Sequence, residues 1–278
     1  MGDDFLYDTT NGLATFGPAM VRMRELLEAR FLAWAGECGA EPMLFAPLMK
    51  VEDLDGLDYF RNFPHLALIA SRIREDYLAD GYTKAQSTRT IPNAHLTQGE
   101  YALPSAACYN IYLHLRDTVL ESARYITTVA SCFRNEREYT GLSRLWGFSM
   151  REIVCIGTAE AVQSHLASCK QRVADFANAI GLPFEIQVAS DPFYEPQGSR
   201  AVMQKLFPVK EEFVYGGTVA IASANFHRNF FGERCNIMTG DGKPAFSGCQ
   251  AFGIERWLHA LLDHFKQDVA AIEQAIAI

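Results

Sequence analysis

The chain has 278 residues and a formal net charge of −8; 49% of its residues are hydrophobic and 21% are charged. This composition is typical of a globular protein, and the chain is long enough to form a hydrophobic core that needs no disulfides or metal ions for stability. The acidic balance argues against nucleic acid or an anionic membrane surface as the main partner.

Cysteine usage indicates the compartment. The seven cysteines are odd in number and form no CxxC pair, and the opening MGDDFLYDTT is acidic and unlike a secretory signal. No apolar run reaches membrane-spanning length. The sequence therefore predicts a reduced, cytoplasmic protein that does not associate with a membrane.

The first half of the chain contains two predicted helices and three predicted strands. Residues 18–39 are predicted to form a helix between Pro18 and Gly39, because apolar residues recur there at helical spacing. A short strand is predicted for EPMLFAPLM and a second helix for residues 64–80. Residues 122–136 and 147–157 are predicted to be the two strands of a long hairpin, with the loop EYTGLSRLW between them.

The second half begins with a helix over residues 158–183, in which Thr158 is a favourable N-cap and Gly181 a favourable residue after the end. FEIQVAS is predicted to be a strand and residues 191–209 to be irregular. EFVYGGTVAIASANF should form two strands around a Gly-Gly turn, followed by the strand AFSGCQAFG and the helix GIERWLHALLDHF. Since the strands come as hairpins with helices appended, an α+β fold with a mainly antiparallel sheet is predicted.

Charged residues at the end of the first hairpin strand are the first candidate site. Arg134 and Glu136 lie two residues apart and so point to one side, and Phe148 and Glu152 share a side of the return strand. A guanidinium, a carboxylate and a phenyl ring together can hold a phosphate and an adenine. The alternative is a cross-strand salt bridge beside core aromatic residues.

The residues alone do not decide the roles of two further features. Arg256 falls in the first turn of the last helix, where the backbone N–H groups favour an anion; the alternative is an ordinary surface turn. Cys108, Glu152 and Cys249 lie far apart in the sequence, and composition alone would make the cysteines small buried hydrophobic residues. Neither a GxGxxG loop nor a Walker A loop is present, so nucleotide binding through those devices is not supported.

Three segments in order resemble the motifs of class II aminoacyl-tRNA synthetases. Residues 19–49 resemble motif 1, the dimer-interface element; residues 122–157, with FRNE, resemble motif 2; and residues 245–266, with GIER, resemble motif 3. Longer segments resemble the amino acid:[carrier protein] ligases, which are truncated homologues of the atypical, zinc-dependent seryl-tRNA synthetases. These segments are YFRNFPHL, PSAACYN, SRLWGFSMREIVCIGTAE, GLPFEIQVASDPF, SANFH and CQAFGIER.

The resemblance implies one class II synthetase-like catalytic domain over residues 1–278, working as a homodimer without a tRNA-binding domain. It implies ATP-dependent activation of a small amino acid, glycine or alanine, to an aminoacyl-adenylate. The aminoacyl group would then pass to the phosphopantetheine thiol of a carrier protein, and tRNA would not be charged. The alternatives are an adenylating biosynthetic enzyme with another acceptor, a non-catalytic dimeric paralogue that acts as a sensor, and a tRNA-charging synthetase. Residues 191–209 depart most from the family, which leaves the amino acid and the acceptor open.

The resemblance also implies roles for individual residues. Cys108, Glu152 and Cys249 would bind one Zn²⁺ and leave a position for the amino group of the substrate, with Asn225 nearby. Arg134 and Arg256 would be catalytic, at the α- and γ-phosphates of ATP, and Mg²⁺ would accompany the nucleotide. The other nucleotide-binding residues would be Glu136, Arg144, Leu145, Phe148, Lys210, Glu212, Ala220, Ile221, Ala222 and Ser223.

Overall fold

A computed structural model describes residues 7–78, Tyr82 and residues 89–277. The strands in chain order are β1 (Tyr7–Asp8), β2 (Thr15–Phe16), β3 (Glu41–Pro42), β4 (Met49–Lys50), β5 (Leu68–Ala70), β6 (Tyr101–Leu103), β7 (Val119–Leu120), β8 (Arg124–Phe133), β9 (Gly147–Gly157), β10 (Glu185–Ala189), β11 (Lys210–Tyr215), β12 (Val219–Arg228), β13 (Met238–Thr239) and β14 (Phe246–Gly253). The α-helices are α1 (Pro18–Glu37), α2 (Val51–Gly56), α3 (Tyr59–Asn62), α4 (Glu75–Tyr77), α5 (Tyr109–His114), α6 (Ala159–Ala179), α7 (Ser199–Leu206), α8 (Phe230–Cys235), α9 (Ile254–His264) and α10 (Val269–Ile276).

A seven-stranded sheet in the order β10-β11-β12-β14-β9-β8-β3 forms the centre of the fold. Its neighbouring strands are antiparallel except for β3 and β8, which are parallel. The α+β fold with a mainly antiparallel sheet is therefore confirmed. None of the helices in the described part of the chain combines the length and the apolar character needed to span a bilayer.

Helices α1, α6, α9 and α10 pack on one face of the sheet. Phe31 of α1 stacks on Phe252 of β14, with ring centroids 4.1 Å apart, and Trp34 meets Phe176 of α6 edge to face at 5.5 Å. Trp257 of α9 is fully buried in the same cluster. Buried aromatic rings of this size dominate the energetics of a core. The opposite face is covered in part by α5 and α8, and the remainder stays open as a cleft.

Most predicted elements are present. Helices α1, α6 and α9 and the hairpin β8–β9 lie where the sequence predicts them, and the side chain of Thr158 accepts a hydrogen bond from the amide of Ala161 as an N-cap. Gly216 and Gly217 both adopt positive φ in the turn between β11 and β12. A residue with a Cβ is disfavoured in that backbone conformation, so the Gly-Gly pair suits the turn.

Three predictions were wrong. Residues 64–80 do not form one helix: Leu68–Ala70 is strand β5, which pairs with β6, and within the described residues only the short α4 is α-helical there. EPMLFAPLM is not one strand, because β3 and β4 belong to different sheets. Residues 191–209 are not wholly irregular, since Ser199–Leu206 forms the amphipathic helix α7. In the first two cases, pairing with distant strands overrides the local pattern.

Candidate active site

The sheet register brings distant residues to one face. Residues directly opposite each other in an antiparallel pair point to the same side. Asn225 lies opposite both Lys210 of β11 and Cys249 of β14. Ala251, two residues after Cys249, lies opposite Glu152 of β9. The open face of the sheet therefore carries side chains from four neighbouring strands.

The hairpin β8–β9 supplies one end of this face. The guanidinium of Arg134 lies 5.0 Å from the ring centroid of Phe148, and its Nε donates to the carbonyl of Ser105 at 3.2 Å. Glu136 pairs with Arg144 of the hairpin loop at 3.2 Å. The hairpin thus gathers the residues that strand alternation predicted for one surface. The ion pair that forms there joins Glu136 to the loop rather than to Arg134.

A cleft of about 80 Å³ runs along this end of the sheet. All twelve residues predicted for nucleotide binding line it: Arg134, Glu136, Arg144, Leu145, Phe148, Lys210, Glu212, Ala220, Ile221, Ala222, Ser223 and Arg256. The lining carries three arginines and a lysine against three glutamates, so its net charge is positive, which suits a polyanion.

Arg256 closes the cleft at the N-terminus of α9. Its Nε donates to the carbonyl of Ser143 at 2.9 Å and its Nη1 to that of Ala220 at 3.1 Å. Burial, and after it the neighbouring Arg134, lower the pKa of Arg256. Two positive side chains held this close indicate a place for negative charge. The alternative of an ordinary surface turn is therefore wrong for this residue.

A larger cavity of about 430 Å³ adjoins the cleft. Cys108, Glu152, Cys249 and Asn225 line one part of it, and α7 with the segment before it lines another. Five residues line both spaces: Arg134, Met150, Lys210, Ser223 and Ala251. A molecule bound next to Glu152 would therefore lie beside the arginines of the cleft.

Cys108, Glu152 and Cys249 form a compact group. One ligand atom from each lies within 4.8 Å of the other two, and all three residues are buried. Glu152 accepts hydrogen bonds from the backbone amides of Ala107 and Cys108, at 2.9 and 3.1 Å. Those amides precede α5, so the start of this helix holds the carboxylate against the thiols.

The group fits a zinc ion chemically. Two thiols and one carboxylate are zinc ligands, and three protein ligands leave a fourth position for substrate. Within the described residues, the contacts of the Glu152 side chain are these backbone amides rather than a basic side chain. Although contact with Cys249 lowers it, burial and the Glu152 carboxylate raise the pKa of Cys108 to about 11. A divalent cation would compensate the buried carboxylate and deprotonate the thiols.

Two polar side chains support Cys249. The amide of Asn225 lies 3.4 Å from its sulfur, and Nε2 of His227 lies 3.8 Å from it. Nδ1 of His227 lies 3.1 Å from the hydroxyl of Tyr112, which suits the tautomer protonated at Nε2. Burial lowers the pKa of His227 to about 4, so the imidazole is neutral. The structure places His227 directly behind a candidate metal ligand.

Sequence reasoning missed a polar network in the larger cavity. Lys210 pairs with Asp191 at 3.2 Å and with Glu212 at 3.0 Å, and Asp191 accepts from Gln204 of α7 at 3.0 Å. Although burial opposes it, Lys210 and Gln204 lower the pKa of Asp191. Asp191 and Gln204 lie in the segment 191–209, which was predicted to be irregular.

The chain is similar to several known proteins. Residues 94–265 match the model of the tRNA synthetase class II core domain (G, H, P, S and T). The chain is 31% identical to amino acid–[acyl-carrier-protein] ligase 1 of Bradyrhizobium diazoefficiens, over 98% of this chain and 83% of that protein. It is also 31% identical to ligase 2 of the same organism, over 84% and 72%.

Synthetases are more distant relatives. The type-2 serine–tRNA ligase of Methanopyrus kandleri is 25% identical over 89% of this chain and 52% of its own length. The chain therefore spans about half the length of that synthetase. A solved structure of M. kandleri SerRS with A. aeolicus tRNASec matches 92% of this chain and 54% of its own, with a TM-score of 0.78 and 23% identity. Giardia lamblia prolyl-tRNA synthetase matches 92% and 49%, with a TM-score of 0.69 and 14% identity.

Proposed function

The chain belongs to the amino acid–[acyl-carrier-protein] ligases, enzymes with the class II tRNA synthetase core, and we propose that it activates glycine or alanine with ATP and loads it onto a carrier protein. The observation that carries this proposal is that the smaller cleft and the larger cavity adjoin each other. A cleft lined by three arginines opens beside a buried Cys-Glu-Cys group, with Arg134 on the wall of both.

ATP occupies the smaller cleft. Arg134 holds the α-phosphate and Arg256 the γ-phosphate, while Phe148 stacks on adenine and Glu136 accepts from its amino group. Guanidinium groups suit these positions because they bind phosphate oxygens through two parallel N–H bonds. Arg144 and Leu145 of the hairpin loop and Ala220–Ser223 of β12 complete the walls, and Lys210 and Glu212 lie on the side of the ribose and phosphates. Mg²⁺ accompanies the phosphates.

Cys108, Glu152 and Cys249 would hold Zn²⁺, which would supply a Lewis-acidic position for the neutral α-amino group of the substrate. Asn225 lies beside this position, and the adjacent Asn225 and His227 donors stabilise the charge on the sulfur of Cys249. The protein thereby orients the substrate carboxylate toward the cleft wall where Arg134 lies.

The reaction needs no protein nucleophile. The substrate carboxylate attacks the α-phosphorus of ATP and pyrophosphate leaves, with Arg134 and Arg256 stabilising charge on the phosphate oxygens. The carrier thiol, as thiolate, then attacks the carbonyl carbon of the aminoacyl-adenylate, and AMP leaves with the electron pair. The first step transfers an adenylyl group and the second an aminoacyl group, and neither modifies the chain.

A small amino acid suits the space available. The cavity of about 430 Å³ runs from Glu152 to Phe207 at the end of α7 and has to admit both the amino acid and the pantetheine arm. A glycine or alanine beside the metal leaves the remainder for that arm. The domain acts as a homodimer that forms through the motif 1 region, where the apolar side chain of Leu44 is 81% exposed. It does not charge tRNA.

The test is pyrophosphate exchange with each of the twenty amino acids, followed by loading of a phosphopantetheinylated carrier protein. We expect exchange with glycine or alanine, carrier loading by the wild type, and loss of both in Cys108→Ser. Cys132→Ala is the matched control, because Cys132 is equally buried but lies outside the Cys-Glu-Cys group.

Three results would contradict the proposal in different ways. Exchange without carrier loading would favour an adenylating enzyme with another acceptor. Thermal stabilisation by ATP without exchange would favour a sensor, and aminoacylation of bulk tRNA would revive a synthetase.

A further inference from the structure

A second cluster of metal-ligand side chains lies on the opposite face of the sheet from the cleft. Cys38 follows the last turn of α1, and His165 and Cys169 lie one turn apart on α6. One ligand atom from each of the three lies within 4.8 Å of the others. Residues at positions i and i+4 share a helix face, so α6 presents its two donors together toward the end of α1.

The spacing suits a tetrahedral ion. Sγ of Cys169 lies 3.9 Å from Nδ1 of His165 and 3.7 Å from its Nε2. Zinc bonds of usual length to sulfur and nitrogen place two such donors about 3.6 Å apart. The free thiol and imidazole are therefore within a few tenths of an ångström of the separation that bound ligands require.

A backbone carbonyl orients the imidazole. The oxygen of Ile153 in β9 lies 3.3 Å from Nε2 of His165 and accepts from it when the ring is protonated there. The lone pair is then on Nδ1, which lies 3.9 Å from Sγ of Cys169. A carbonyl that fixes the tautomer of a ligating histidine in this way is a common feature of zinc sites.

The junction between the two helices is already held in place. Arg172 of α6 donates to Glu37 of α1 at 2.8 Å and to Ser168 at 2.7 Å. His165 and Cys169 are buried, whereas Cys38 is half-buried. The cluster is therefore preformed and also accessible from solvent through Cys38, as metal entry and a water in the fourth position require.

We propose that Cys38, His165 and Cys169 bind a second Zn²⁺, distinct from that of the cleft, which joins the end of α1 to α6. The competing role for two neighbouring thiols is a disulfide, and the imidazole of His165 beside them supplies the third ligand that a metal site needs. The ion has a structural role, since α1 is the motif 1 helix and packs through Phe31 and Trp34 on the core.

Metal content and thiol protection test the proposal on the full chain, with Zn²⁺ as the probe. We expect two zinc ions per wild-type chain, one in Cys38→Ser and in His165→Asn, and one in Cys108→Ser. Cys155→Ala is the matched control, because this neighbouring buried cysteine of β9 lies outside the cluster, and it should retain two. Zinc should also slow alkylation of Cys38 and Cys169 in the wild type at least tenfold.

Several results would overturn the proposal. One is a wild-type content of a single ion that Cys38→Ser leaves unchanged; another is complete loss of zinc in Cys108→Ser. A third is a Cys38–Cys169 disulfide in metal-free wild type purified without reductant, together with alkylation rates that zinc does not alter. The alkylation measurement uses the unmodified chain, so it decides the question even where a variant folds poorly.

Discussion

Replacing Glu152 by glutamine separates metal binding from structural support. The amide oxygen of glutamine can still accept from the backbone amides of Ala107 and Cys108, which the carboxylate does at 2.9 and 3.1 Å. What the substitution removes is the buried negative charge, and with it one metal ligand. The metal-free variant should therefore be at least as stable as the metal-free parent, because an uncompensated buried charge is costly.

The size of the effect follows from binding linkage. Zinc at a free concentration one hundred times its Kd stabilises the parent by about 2.7 kcal/mol. For a chain of this size that corresponds to a rise in Tm of roughly 5–10 °C. The Glu152→Gln variant should show less than a third of this rise at the same zinc concentration.

The assay is thermal unfolding after chelation and again after addition of zinc. Both the parent and the variant carry Cys38→Ser, so that zinc at the cluster between α1 and α6 does not contribute. An equal zinc-dependent rise in both chains would refute the metal role of Glu152. A metal-free variant that is less stable by more than about 2 kcal/mol would show that the carboxylate serves the fold instead.

Three other substitutions test the cleft and its surroundings. Arg256→Met should lower kcat/KM for ATP in pyrophosphate exchange by roughly 10–150-fold, since charge-assisted hydrogen bonds contribute about 1.5–3 kcal/mol; Arg124→Met, which removes an exposed ion pair with Glu41, is the control and should change it less than twofold. Phe148→Leu should raise the KM for ATP about fivefold or more, because aromatic stacking on a base contributes about 1–3 kcal/mol; an unchanged KM would place adenine elsewhere. Burial raises the pKa of Glu255, so its protonated form contributes to the stability of the wild type. This contribution is fully present below the pKa of the unfolded side chain and is lost as pH rises through the pKa of the folded one. Glu255→Gln should flatten this decline in chemical denaturation at pH values above about 4.5, the pKa of the unfolded side chain, and an unaltered slope would contradict the prediction.

The sequence predicted the elements whose signals are local. β9 and α6 were recognisable because their periodicity and caps lie within the segment itself, and the side on which Phe148 and Glu152 lie followed from alternation. β5 was taken for helix because its pairing with β6 is specified by a partner more than thirty residues away. Local propensity is a weak guide where such a partner decides the outcome.

The residues of the candidate site also differ in whether a local sequence signal identifies them. Arg134 and Arg256 stand in short motifs that a resemblance can identify. Cys249 reaches Glu152 through the register of β14 on β9, and the start of α5 brings Cys108 to both, so no spacing in the chain announces the group. Cys38 is likewise far in sequence from its cluster partners, although the His-x-x-x-Cys pair on α6 is a local signal that predicts a metal site.

The contacts of Arg256 have a consequence for how the enzyme tolerates change. A guanidinium has five N–H donors, and Arg256 uses one on the carbonyl of Ser143 and one on that of Ala220. Three donors remain for a phosphate, so nucleotide capture does not require the hairpin loop to detach from β12. Insertions or deletions near Gly141, at the tip of that loop, should accordingly alter how tightly the chain holds ATP, although the tip itself lies outside the cleft. The length of the loop and the geometry of the nucleotide site are therefore coupled through Arg256.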